Sequence, residues 1–147
     1  MPTDRDAIAG LIHAYAEGID GGDLEGVARL FAHGTFGAAG GPARRGVDDL
    51  LAVLRRTVIL YDGVPRTKHV VSNLVIEVDE AAGTACARSY FTVMQATPAL
   101  PLQVVIAGRY EDRFERAGAT WRFADRRVHM DLVGNLSQHV RREGGEP

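Results

Sequence analysis

The chain has 147 residues, 46% of them hydrophobic and 24% charged, and carries a formal net charge of −2. That length suits one compact domain, able to bury a core without a metal or disulfide staple. The near-balanced charge excludes a protein built to neutralise nucleic-acid phosphates or to coat an anionic membrane. No apolar run is long enough to cross a bilayer. Cys86 is the single cysteine, so no internal disulfide is possible. Together with a polar, acidic N-terminus unlike a signal peptide, this predicts a cytoplasmic protein.

Ile8, Leu11, Ile12, Tyr15 and Ile19 recur at helical spacing and predict an N-terminal helix, with Thr3 and Asp6 in the arrangement of a capping box. Gly18, Gly21 and Gly22 punctuate the chain around Asp20. Asp23 then caps a second, shorter helix that carries Leu24, Val27, Leu30 and Phe31 inward. Residues 33–46 are rich in Gly and Ala, and fit either short strands or a mobile loop. Leu50, Leu51, Leu54 and Val58 mark a third helix from Val47 to about Tyr61, closed by Asp62-Gly63-Val64-Pro65.

Beyond Pro65 the pattern changes to sheet. Lys68 to Asp79, Thr84 to Ala96, Leu102 to Arg116 and Ala119 to about Val133 predict four long strands. Tight turns join most of them, which implies an antiparallel, strongly curved sheet. Helices first and strands after place the chain in the α+β class as one domain over 1–140, with a disordered polar tail at 141–147.

Common catalytic motifs are missing. There is no phosphate-binding glycine loop, no GxSxG elbow, and no paired i, i+4 spacing among His13, His33, His69, His129 and His139. No metal site and no cofactor are expected. Cys86 lies mid-strand, where a small buried side chain is the plainer expectation than an active thiol. Acid–base chemistry remains. Asp20 is either a turn-maker or a carboxylate at a site. His69, opening a strand, is either a hydrogen-bonded structural histidine or a base. Tyr15 continues the apolar stripe of its helix. Arg126 shares a strand face with Val128, Met130 and Leu132, and needs a carboxylate partner such as Asp20 or Glu111, or else an anionic ligand. Asp125, Arg127 and His129 are expected on the other face, toward solvent or an interface.

Three groups of residues carry a family resemblance. They are Tyr15-Ala16-Glu17-Gly18-Ile19-Asp20-Gly21-Gly22-Asp23 with Leu30-Phe31-Ala32, then Thr67-Lys68-His69-Val70-Val71-Ser72-Asn73, then Gly108 to Phe114 with Trp121 to Arg127. Over roughly residues 5–140 the chain resembles the SnoaL-like branch of the nuclear transport factor two-like superfamily. The resemblance implies a cone-shaped α+β barrel in which three N-terminal helices pack on a curved, mainly antiparallel sheet. It also implies an apolar pocket and assembly as a homodimer or homotrimer. Scytalone dehydratase, hexachlorocyclohexane dehydrochlorinase and the bile-acid 7α-dehydratases of that superfamily use a His–Asp dyad, whose positions fall on Asp20 and His69. Tyr15 and Arg126 match a tyrosine and an arginine of the bile-acid enzymes. No second pocket histidine is evident, since Tyr90, Thr92 and Met94 occupy the strand where scytalone dehydratase carries one.

The resemblance therefore implies a cofactor-independent lyase or isomerase, with Asp20, His69 and Tyr15 catalytic and water elimination the first reaction to name. Arg126, Asn73, Phe36, Phe91 and Tyr90 are the expected substrate contacts, with Trp121 a further pocket wall. The expected partner is a small apolar organic ligand, with no nucleic acid and no membrane. A SnoaL-like polyketide cyclase, or a non-catalytic binding or assembly module on the same fold, are the alternatives.

Overall fold

The computed structural model describes residues 2–141. It begins with helix α1 (Asp4–Asp20), whose first turn is closed by the expected capping box between Thr3 and Asp6. Helix α2 (Leu24–Arg29) follows, with the Asp23 carboxylate accepting from the Gly26 amide at 2.9 Å. Two short strands, β1 (Thr35–Ala38) and β2 (Arg44–Arg45), resolve the weakly patterned segment as structure rather than loop. Helix α3 (Gly46–Thr57) comes next, and then β3 (Thr67–Asp79), β4 (Thr84–Thr97), β5 (Leu100–Ala117) and β6 (Thr120–Val133).

The sheet has six strands in the order β2-β1-β6-β5-β4-β3. All neighbours are antiparallel except β1, which runs parallel to β6. β2 and β3 are free edges, so the cone is an open, curved sheet wrapped around its helices and not a closed barrel. Helix α3 stops at Thr57, four residues before the expected end. The reason is the chain that returns after β6: the Ile59 amide donates to the His139 carbonyl at 2.9 Å, and the Arg141 amide to the Thr57 carbonyl at 2.7 Å. Residues 58–59 must be extended to make that pairing, and β-branched Val58 and Ile59 favour it. Of the expected tail, Arg141 is thus tied down, and 142–147 lie outside the described residues.

The core lies between the helices and the inner sheet face. Ile8, Ile12, Tyr15 and Ile19 of α1 pack against Phe31, Leu50, Phe91, Tyr110, Phe114 and Phe123. Alternation along β4 is strict. Ala85, Ala87, Ser89, Phe91, Val93 and Gln95 are buried, whereas Cys86, Arg88 and Tyr90 face outward. Cys86 is therefore exposed and not a small core residue, because it falls on the outer phase of the pleat.

Candidate active site

Asp20 is the last residue of α1, where the negative end of the helix dipole disfavours a carboxylate. Three donors offset this. The Thr67 hydroxyl and the His69 ring Nδ1 each meet Oδ1 at 2.7 Å, and the His69 amide donates to Oδ2 at 2.8 Å. Burial raises the Asp20 pKa, but the His69 ring and amide bonds, with Thr67, outweigh it and hold the carboxyl below its usual range. Gly22 fixes where the helix ends. Its φ is +75°, and a Cβ there would stand 1.9 Å from the Gly63 carbonyl oxygen, so only glycine lets the two turns meet.

An ionised carboxylate can only accept, so the His69 Nδ1 that meets Asp20 carries a hydrogen. Both side chains are largely enclosed, at 7% exposure for His69 and 11% for Asp20. Tyr15, five positions before Asp20, meets the His69 ring edge-on at 6.4 Å and stacks on Phe36 at 5.9 Å. Burial raises the Tyr15 pKa, with Arg126 pulling the other way, so the hydroxyl keeps its proton at neutral pH.

Arg126 is fully buried and lies across from Asp112 in the β5–β6 register. Its Nε and one terminal nitrogen bond the two Asp112 oxygens at 2.7 and 2.8 Å. The guanidinium carbon lies 3.7 Å from the Tyr110 ring centroid and 4.4 Å from that of Tyr15. Burial works against the Arg126 charge, yet Asp112 holds its pKa above the ordinary value. The partner is therefore Asp112, neither Asp20 nor Glu111, and the remaining terminal nitrogen, Nη1, is buried without a hydrogen-bond partner among the described residues.

The structure thus brings Asp20, His69, Tyr15 and Phe36 together, with Arg126 behind Tyr15. Phe91 is interior as well, stacked on Tyr110 at 4.4 Å. Asn73 and Tyr90 stand elsewhere. The β3–β4 register shifts between Ser72 and Val75, and Asn73, at φ +53°, is turned to the outer face at that bulge. Tyr90 is 54% exposed on the outer phase of β4. Trp121 donates to Asp4 at the far end of α1, sixteen residues or about 24 Å from Asp20, so it walls no pocket there. Asp125 faces away from Arg126 as expected but is buried, its carboxylate bonded by the Thr35 hydroxyl.

Two groups escaped the sequence pattern. Asp112 is one. The other is His139, whose ring lies 6.0 Å from that of His69 and is 7% exposed. It supplies the second interior histidine that the strands lack, from a segment with no helical or strand periodicity. Among the described residues, no three His, Cys, Asp or Glu side chains gather into a metal-ligand group.

A family model described as the SnoaL-like domain matches residues 2–127. Among solved structures, a protein of unknown function from Mycobacterium tuberculosis, Rv3472, is 30% identical, with a TM-score of 0.71 over 86% of this chain and 71% of that one. A candidate scytalone dehydratase from Novosphingobium aromaticivorans is 20% identical, with a TM-score of 0.70 over 98% of this chain and 95% of that one. LinA is 19% identical, with a TM-score of 0.70 over 90% and 89%. No curated protein matches the chain by sequence.

Proposed function

The chain belongs to the SnoaL-like domain family, and from that premise we propose that it is a dehydratase-like lyase or isomerase acting by acid–base chemistry on a small hydrophobic or polycyclic substrate. The observation that carries this reading is the 2.7 Å contact between the Asp20 carboxylate and His69 Nδ1 at the wall of an aromatic interior. Asp20 holds the tautomer and steadies the imidazolium that forms when Nε2 takes a proton. In a medium poor in water that charge pair is worth more than it would be at the surface. Tyr15 keeps its proton and can donate to an oxygen of the substrate. Phe36 and Phe91 offer apolar surface to rings. The chemistry needs no cofactor, because positioned acid–base assistance supplies about 10²–10⁴ in rate.

The likeness to a candidate scytalone dehydratase and to LinA supports the fold, and elimination is the reaction we carry over as proposal. We also place the protein in the cytoplasm as a homodimer or homotrimer. Among the described residues no helix is long and apolar enough to cross a membrane. Leu102, Val104 and Leu132 are 51–72% exposed apolar side chains near the ends of β5 and β6, of the kind that association covers.

A panel of cyclic β-hydroxy ketones, followed by the rise of conjugated-enone absorbance, tests the reading. Turnover by the wild-type protein is expected to fall about 10²–10⁴-fold in both Asp20→Asn and His69→Ala. Turnover that survives both substitutions overturns the dyad.

A further inference from the structure

A groove lies outside the core, at the end of the sheet where β3 begins. It encloses about 570 Å³, within the range of small-ligand sites, and Asp20, Val64, Arg66, Lys68, Met94 and Leu102 are among its walls. Lys68 and Met94 stand directly across from each other in the β3–β4 register, and Leu102 of β5 is 72% exposed. The charged groups along the groove are Asp20, Arg66 and Lys68. Both Asp20 oxygens are engaged by Thr67 and His69, and neither cation pairs with them.

Arg66 is held in an uncommon way. Its φ is +60°, in the left-handed region that glycine enters without cost and an arginine does not. The Ala96 amide donates to the Arg66 carbonyl at 3.3 Å, and the Arg66 Nε donates to the Ala96 carbonyl at 2.8 Å. The side chain is thereby anchored at Nε, and its two terminal nitrogens have no partner among the described residues. Strained backbone positions of this kind gather at ligand clamps. Lys68, two residues on, is exposed and likewise makes no hydrogen bond or ion pair among the described residues.

We infer that this groove binds a medium-chain carboxylate, an amphiphile whose acid head sits between Arg66 and Lys68 and whose apolar chain runs over Met94 toward Leu102. The free end of the guanidinium offers two parallel N–H donors that match the two oxygens of a carboxylate, and Lys68 adds a point charge. β3 is the edge strand and Asp20 bonds it from α1, so a chain that crosses β4 toward β5 leads away from the Asp20 charge. That path covers two strand spacings, roughly 10 Å. A neutral hydrocarbon would leave both cations unpaired, and a compact inorganic anion would leave Met94 and Leu102 in water. The site lies outside the aromatic interior and does not depend on the acid–base reading of Asp20 and His69.

The test titrates the full chain with octanoate, octanol and acetate, and follows the methionine methyl groups by ¹³C NMR. Octanoate is expected to bind and to shift Met94 but not Met130, which lies on β6. Octanol, which lacks the charge, and acetate, which lacks the chain, should each bind about tenfold more weakly. Arg66→Gly suits a φ of +60° and keeps the fold, so its expected loss of about tenfold in octanoate affinity reports the missing guanidinium. Lys68→Gln should cost about threefold. Absence of octanoate binding, octanol binding as tightly as octanoate, a shift at Met130 in place of Met94, or unchanged affinity in both variants overturns the carboxylate site. So does an octanoate affinity that falls as protein concentration rises, which assigns the groove to a second copy of the chain instead.

Discussion

In an unfolded chain the His139 imidazole takes up a proton near pH 6.5, whereas burial and the neighbouring His69 ring push its folded value down to about 4. The unfolded state therefore binds more protons between those values. The stability this site contributes is complete above pH 6.5 and is lost as pH falls toward 4, below which both states are protonated. At pH 4.5 the loss from this one group amounts to about 2–3 kcal/mol. Urea unfolding at pH 7 and pH 4.5 should show the wild type losing about that much more than His139→Phe. Equal losses in the two proteins would mean that His139 is not held neutral. Arg126 shows the other way a buried charge survives. Its guanidinium is ion-paired to both Asp112 oxygens and covered on its faces by Tyr110 and Tyr15, so it braces the ring that stands next to His69.

At the scale of elements, periodicity reveals the long strands and helices but not the irregularities that decide which way a side chain points. Asp20 and His69 were legible because each sits near an element end, Asp20 closing α1 and His69 two residues into β3, before any irregularity intervenes. Asn73 was misplaced because it lies within a bulge: the pairing sum steps from Ser72↔Tyr90 to Val75↔Arg88, and the alternation inverts across the step. The Arg126 partner was missed for the same reason. Counting from the Gly118 turn with the register of Phe114↔Phe123 sets Arg126 opposite Glu111, whereas the shift between Arg113 and Phe114 sets it opposite Asp112. Tyr90 needed no bulge, only the phase of β4, in which odd-numbered residues face the core. His139 had no signal at all, because its position depends on tertiary pairing of a short irregular segment with residues 57–61.

For the molecule as a whole, the open sheet has two faces with different tasks. The inner face gathers the aromatic core, the Asp20–His69 pair and the Arg126–Asp112 pair, and α1 spans it from Trp121 at one end to His69 at the other. The outer face exposes Tyr90, Val104 and Leu102, and light scattering is expected to give the mass of a homodimer or homotrimer. Tyr90→Lys combined with Val104→Lys should shift that mass toward the monomer, and a wild-type monomer would refute the assignment. The proposed chemistry belongs to the inner face. There the central claim is that Asp20 fixes His69 as a base, and the ¹⁵N spectrum of the His69 ring at neutral pH tests it most directly. The expected spectrum shows a protonated Nδ1 and a lone pair on Nε2, with that preference lost in Asp20→Asn. A proton on Nε2 with the lone pair on Nδ1 would contradict it.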